Sequence, residues 1–511
     1  MSEQSSNRAV RDLVSGAGIV YTGLILEMGV AFFAQVLVAR YLSLGGFGGI
    51  TTGTAVLNIG AILGTLGLSE GLTRYLPRSD SEERGKIVAT TLAIVVPFSA
   101  LLGAACVVWA PLLAERVFGE PGITTSLRVF GAAIPFAAVL MLAIGGIRGQ
   151  EKPRYRVYAK NLLQPIVRSV LVVAVLLVGA SQVGFALAYA VPYVLAAALA
   201  LLLLWRSLAP VRYGWLSRSR LAELLDYSLP MVLTKASSFV YRSVDIFVVL
   251  YFLSASDVGA YGVAYGAARL VLMFNMAFNF LGAPIASRLE KDEGVVGMVE
   301  SHRPLIKWLT VASCAILFPF VVFPAEFIGS VYRSRYAIGA GALTVLAVGF
   351  ALHNVLGAQA NLLRGIGASR LLALNGVVAA VANVGLNLVL VPRYGIVGAA
   401  VATACSYWIM DTMMAAELYR ETGTSIFSFE VVAPAVVALP VFGICYLLSG
   451  LVPATLLGVV LSSGLSVSVY LLAVVVVLGL SSTDVRLLRL ADDRFDLPTG
   501  GLVEALARFE R

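Results

Sequence analysis

The sequence predicts an all-α polytopic membrane protein of about fourteen transmembrane helices, built as two pseudo-symmetric six-helix lobes plus two C-terminal helices. Three observations lead there. Hydrophobic residues make up 59% of the 511 positions and charged residues only 13%, where a soluble domain carries about 25% charge. Apolar stretches of the ~20 residues that a spanning helix needs fill almost the whole chain. Short sequences also recur in order at nearly one offset, as an internal duplication would leave them.

The spans are expected near residues 16–38, 46–68, 87–110, 124–147, 158–179, 182–205, 227–252, 258–284, 305–323, 337–360, 371–391, 396–416, 430–449 and 454–479. The first is too long for the apolar core of a signal peptide and is read as a retained helix. With the N-terminus inside, the outer loops hold only Arg40, Arg116, Arg128, Arg333, Arg335 and Arg393, and most other Lys and Arg fall inside. The positive-inside rule therefore supports both the count and an orientation with cytoplasmic termini in the cell membrane.

The repeat rests on three pairs. Leu42–Gly48 resembles Leu253–Gly259, and Gly184–Ala190 resembles Gly395–Val401, both at an offset of 211. Arg148–Arg154 resembles Arg364–Arg370 at 216. An even number of spans lies between copies, so both face the same way, related by an axis along the membrane normal. The expected organisation is an N-lobe over 1–210, a C-lobe over 211–420, helices thirteen and fourteen over 421–480, and a cytoplasmic tail over 481–511. Leu502, Leu506 and Phe509 in that tail share a helical face suited to the membrane surface.

Several function classes are absent from the sequence. It has no phosphate-binding Gly-rich loop, no H-E-x-x-H, no G-x-S-x-G and no paired Cys-x-x-Cys. The net charge of +8 suits cytoplasmic loops beside anionic lipid, and no basic run with interleaved aromatics suggests nucleic acid. The four cysteines lie in apolar segments without metal-ligand spacing. External loops are too short to carry a catalytic domain. No catalytic residue, metal site or cofactor is expected.

What remains is charge inside the spans. Counting residues at the span ends, such as Arg128, Lys160 and Lys307, with the loops, the cations are Arg168, Lys235, Arg242 and Arg269, and the anions Glu27, Asp245 and Asp411. Four in-span cations cost on the order of 10 kcal/mol on insertion scales, a cost that core packing alone gives no reason for. Phosphate or pyrophosphate gives a reason, because Arg forks match its oxygens and Lys adds a point charge. Asp245 lies three residues beyond Arg242 and is expected to pair with it. Glu27 corresponds to Ser238 on the 211 offset, one turn from Lys235 and Arg242. It is expected to gate the lobes through a salt bridge, to carry a coupling H+ or Na+, or to form a permanent structural pair. Asp411 is expected to be solvated or to cap its helix, and His353 to be a hydrogen-bonded packing residue. Short polar residues (Thr22, Gln35, Thr51, Thr52, Asn58, Thr234, Ser237 and Ser238) are candidates for sugar hydroxyls or for helix–helix glue. Five prolines, Pro135, Pro165, Pro192, Pro230 and Pro284, mark expected bends.

Three stretches carry a family resemblance. The run from Asn383 and Asn387 through Pro392, Gly395 and Gly398 to Thr403 is similar to the eleventh and twelfth helices of polysaccharide and oligosaccharide flippases. These belong to the multidrug/oligosaccharidyl-lipid/polysaccharide exporter superfamily. Ala39–Gly48 resembles the link between their first two helices. Asp245–Leu250, Asp257–Tyr261 and Pro284 resemble their seventh and eighth. The resemblance implies alternating access and transport of a lipid-linked oligosaccharide to the outer leaflet. It also implies membrane lipids as surroundings, and glycosyltransferases or a polymerase of the same pathway as partners. Two alternatives stand beside it: a cation-coupled exporter of organic cations, and a non-transporting scaffold for glycan-assembly enzymes.

Overall fold

The computed structural model describes residues 23–179, 181–208, 214–453 and 455–479, without the side chains of 274–296, 298, 301 and 369. The expected tail helix over 481–511 lies outside the described residues, as does Thr22. Among the described residues all regular structure is helical, and eleven helical stretches are long and apolar enough to cross a membrane. One of these, Arg370–Thr422, is two helices joined at a break at Gly395 (φ 59°, ψ −143°), where the sequence placed the loop between spans eleven and twelve. The seventh helix, Arg218–Phe252, is not among the eleven although it is 35 residues long. Its internal charges depress its hydropathy. The eighth, Ala255–Ala268, passes through a tight turn at Arg269–Leu272 into Met273–Val322, which also holds span nine. Over their described residues the fourteen expected spans are helical apart from their ends and from breaks at residues 65–67 in the second and 357–358 in the tenth.

Capping explains why several helices outrun their apolar cores. Asp80 accepts from the Glu83 N–H at 2.8 Å, so the third helix begins at Ser81. Ser217 accepts from the Arg220 N–H at 3.3 Å and opens the seventh helix well before its apolar run. Such caps satisfy amides that a helix start leaves orphaned.

The chain packs as two units. The first comprises Met1–Ala267 with Gly376–Ser406. These are packing units and not repeats, since residues 214–267 of the second repeat pack with the first six helices. Within this unit, the repeated loop-and-helix motifs meet each other. A Cβ on Gly48 would collide with the Ala255 carbonyl oxygen, and one on Gly259 with the Leu44 carbonyl oxygen, both well inside the 3.0 Å that real Cβ atoms keep. Gly48 and Gly259, like Leu44 and Ala255, are 211 positions apart, so the two contacts are copies of one another. Such close backbone approach is the usual role of small residues between membrane helices.

The second unit comprises Ala268–Asn375 with Tyr407–Arg511. Its apolar core joins Phe318, Val441, Tyr470 and Val474. Phe318 stacks on Phe442 with ring centroids 4.1 Å apart, and the Tyr470 hydroxyl donates to the Pro434 carbonyl at 3.2 Å.

Candidate functional site

The first unit gathers charge around a short helix, Leu68–Tyr75. The chain reaches it through Gly67, whose φ of +72° an L side chain rarely adopts. The same glycine lies against the Ser228 carbonyl of the seventh helix, and Gly145 of the fourth helix lies against the Ser69 carbonyl. The short helix is thus clasped between helices four and seven, and Glu70 meets a cation from each. Its Oε1 lies 2.9 Å from Lys235 Nζ and 3.4 Å from Arg148 Nη1. Burial alone would raise the Glu70 carboxyl. Lys235, and less strongly Arg148, outweigh that and hold it below the ordinary carboxylate range. The side chains of Lys235 and Arg148 remain 42% and 44% exposed. Pairs of that kind are worth roughly 0–1 kcal/mol each.

The fifth helix supplies the next charges. Pro165 has no N–H to return to Asn161, and a wider, π-type turn over Val157–Leu163 absorbs the mismatch. Lys160 and Asn161 lie on that turn. The Asn161 amide donates to Glu27. Lys160 lies within electrostatic reach of Glu27, Arg156, Lys235 and Arg148. Arg156 Nε is buried without a hydrogen-bond partner. Further along the helix, the Arg168 guanidinium lies 4.7 Å over the Tyr189 ring, its Nε also buried and unpartnered. Of the predicted site residues, Lys235 and Glu27 therefore flank one cluster with Arg148, Arg156 and Lys160. Among the described residues, Glu27 takes Asn161 as its partner and makes no salt bridge to Lys235 or Arg242.

Asp245 does not pair with Arg242 as expected. Only 1% of it is exposed. It accepts from the Tyr261 hydroxyl, from Thr403 Oγ1 at 3.1 Å, and from the Ile246 N–H at 3.0 Å. Among the described residues it makes no ion pair with Arg242, whose guanidinium lies 5.6 Å over the Tyr241 ring on an exposed face. Spacing along one helix favoured Arg242, but hydroxyls from helices eight and twelve reach the buried carboxylate instead.

In the second unit, Arg269 is exposed on the 3-10 segment within the expected eighth span. Asp411 is fully buried, against the expectation of a solvated residue, and His353 Nδ1 lies 3.0 and 2.9 Å from its two oxygens. His353 is thus hydrogen-bonded as expected.

Several proposed sugar ligands are committed elsewhere. Thr51, Ser237 and Ser238 donate to carbonyls one turn back on their own helices. Gln35 donates to the Gly262 carbonyl at 3.1 Å. Such bonds are ordinary for Ser and Thr inside helices.

By its fold the chain belongs to the class of all-helical, polytopic membrane proteins. The comparisons are consistent with that class. The chain is 14% identical to a solved lipid II flippase MurJ in an inward closed conformation, with a TM-score of 0.69 over 88% of this chain and 97% of that one. It is 16% identical to an inward-facing multidrug resistance MATE family transporter of the MOP superfamily, with a TM-score of 0.63 over 78% and 96%. At these identities the likeness is one of fold. The chain belongs to the polysaccharide biosynthesis protein family, whose model matches residues 37–339. It is also 29% identical over 195 residues to the probable low-salt glycan biosynthesis flippase Agl15 of Haloferax volcanii. That match covers 38% of this chain and spans 41% of the relative.

Proposed function

We propose that the protein is a flippase that moves an anionic, phosphate- or pyrophosphate-bearing polyprenyl-linked oligosaccharide from the inner to the outer leaflet, for surface polysaccharide or glycoprotein synthesis. The observation that carries this reading is the excess of cations within the spans of a polysaccharide-biosynthesis family member. Arg168, with its Nε unpartnered, Lys235 at an open salt bridge, and the exposed Arg242 and Arg269 are the substrate-binding residues. The lipid tail stays in the bilayer while headgroup and sugars cross the polar interior. The two repeats alternate access, with termini cytoplasmic, in the cell membrane. Glu27 and Asp245 carry the coupling or gating role, with H+ or Na+ as the coupling ion. Pathway glycosyltransferases or a polymerase are the partners.

The multidrug alternative needs free carboxylates to attract an organic cation. Here Glu27 is bound by Asn161, Asp245 by Tyr261 and Thr403, and Asp411 by His353. That occupancy favours the glycan reading.

The test is surface glycan display in cells that carry single substitutions at normal membrane levels. Arg242→Ala and Arg269→Ala should each abolish display. Unchanged display in both would overturn the assigned roles.

A further inference from the structure

The inner cluster of the first unit has more cations than its carboxylates can satisfy. Arg148, Arg156, Lys160 and Lys235 face Glu70 and Glu27, so an excess of two positive charges is held together. Two of these cations lack a partner. Among the described residues, Lys160 makes no hydrogen bond or ion pair despite its half-buried position, and Arg156 Nε is buried with no acceptor. An anion joining such a group would relieve the repulsion within it. None of Arg148, Arg156 and Lys160 is legible as a ligand in the sequence, where they count as ordinary loop cations.

We propose that Glu70 is a built-in surrogate for a diphosphate headgroup. Its one oxygen bridges Lys235 and Arg148, as an oxygen of a phosphate would. The incoming headgroup displaces Glu70 and is held by Lys235, Arg148, Arg156 and Lys160. The proposal rests on the flippase reading and adds where the headgroup is first taken. Three points support the exchange. The bridge is open to solvent and weak, so a ligand can compete with it. A diphosphate brings more negative charge than one carboxylate, and its oxygens match an Arg fork. The cations that Glu70 leaves unsatisfied lie on the fifth helix, within reach of those it holds.

The exchange has a mechanical consequence. Glu70 ties helix four to helix seven through the short clasped helix. Headgroup binding breaks that tie and loosens the contact between the short helix and the seventh, which then rests on the Gly67–Ser228 approach. The empty protein keeps the tie, and Lys235 and Arg148 are not left bare in either state. Apparent affinity then depends on the fraction of molecules in which Glu70 has released its partners.

The experiment uses the full chain, purified into phosphatidylcholine nanodiscs, with two probes: farnesyl diphosphate and inorganic pyrophosphate. Glu70→Gln should bind farnesyl diphosphate about three- to tenfold more tightly than wild type. Lys160→Gln and Arg156→Gln should bind it about tenfold more weakly. Lys160→Gln leaves the Glu70 bridge intact, so it tests the site even if Glu70→Gln is poorly folded by gel filtration. Equal or weaker binding by a monodisperse Glu70→Gln protein would overturn the surrogate role. Unchanged binding by Lys160→Gln and Arg156→Gln would overturn the site. Binding of inorganic pyrophosphate without farnesyl diphosphate would overturn the lipid headgroup as its ligand. Loss of glycan display in Arg242→Ala alongside unaltered Glu70→Gln binding would leave the flippase reading standing and this proposal refuted. The reverse pattern would refute the flippase reading and leave the diphosphate site.

Discussion

Gly48→Val should remove most folded protein from the membrane, the largest effect expected of any single change outside the charged residues. A side chain at Gly48 meets the Ala255 backbone carbonyl, which cannot turn aside as a flexible side chain can. The start of the second helix would have to move off the start of the eighth. Overpacking a well-fitted core costs about 1–3 kcal/mol, and displacing two helices that start together sets this case at the upper end or beyond. Gly259→Val should behave alike, because its collision with the Leu44 carbonyl is the repeat-related copy. Gly29→Val is the control, since nothing lies within 4 Å of a Cβ there. Membrane levels and the gel-filtration profile measure the outcome. A monodisperse Gly48→Val protein at wild-type levels would refute the proposed packing.

Asp245 gives the second large effect, and two substitutions separate its roles. Asp245→Ala leaves the Tyr261 and Thr403 hydroxyls without their acceptor, and both residues are fully buried. An unsatisfied buried group costs about 1–3 kcal/mol, so two together should lower the melting temperature of purified protein clearly. Asp245→Asn keeps the volume and one acceptor oxygen, and should fold close to wild type. If the carboxylate carries the coupling ion, the Asn variant should nevertheless lose transport. A stable Asp245→Ala protein would contradict the structural role, and an active Asp245→Asn protein the coupling role.

Much of the architecture was legible in the sequence because membrane spans are written locally, in some twenty consecutive apolar residues. The loop at Pro392–Gly395 and the repeat of Leu42–Gly48 at Leu253–Gly259 were both readable. The latter proved to mark two motifs in mutual contact. The partners of the charges were not readable. Asp245 meets Thr403 across 158 positions and Lys235 meets Glu70 across 165, and no periodicity along one helix reports such meetings. Glu70 passed unremarked because it follows a span instead of interrupting one. The left-handed turn at Gly67 was not readable either, because that glycine falls inside the apolar stretch expected as the second span. Lys160 was hidden by its basic neighbours.

The proposed function is transport of an anionic lipid-linked oligosaccharide across a bilayer. The most direct measurement reconstitutes the purified protein in liposomes with a fluorescent polyprenyl-diphosphate oligosaccharide on one leaflet, and follows its exposure on the other. Wild-type protein should accelerate exposure, and Arg168→Ala should reduce it to the rate of empty liposomes. A protein that leaves the oligosaccharide where it started, yet transports an organic cation such as ethidium in the same liposomes, would contradict the account.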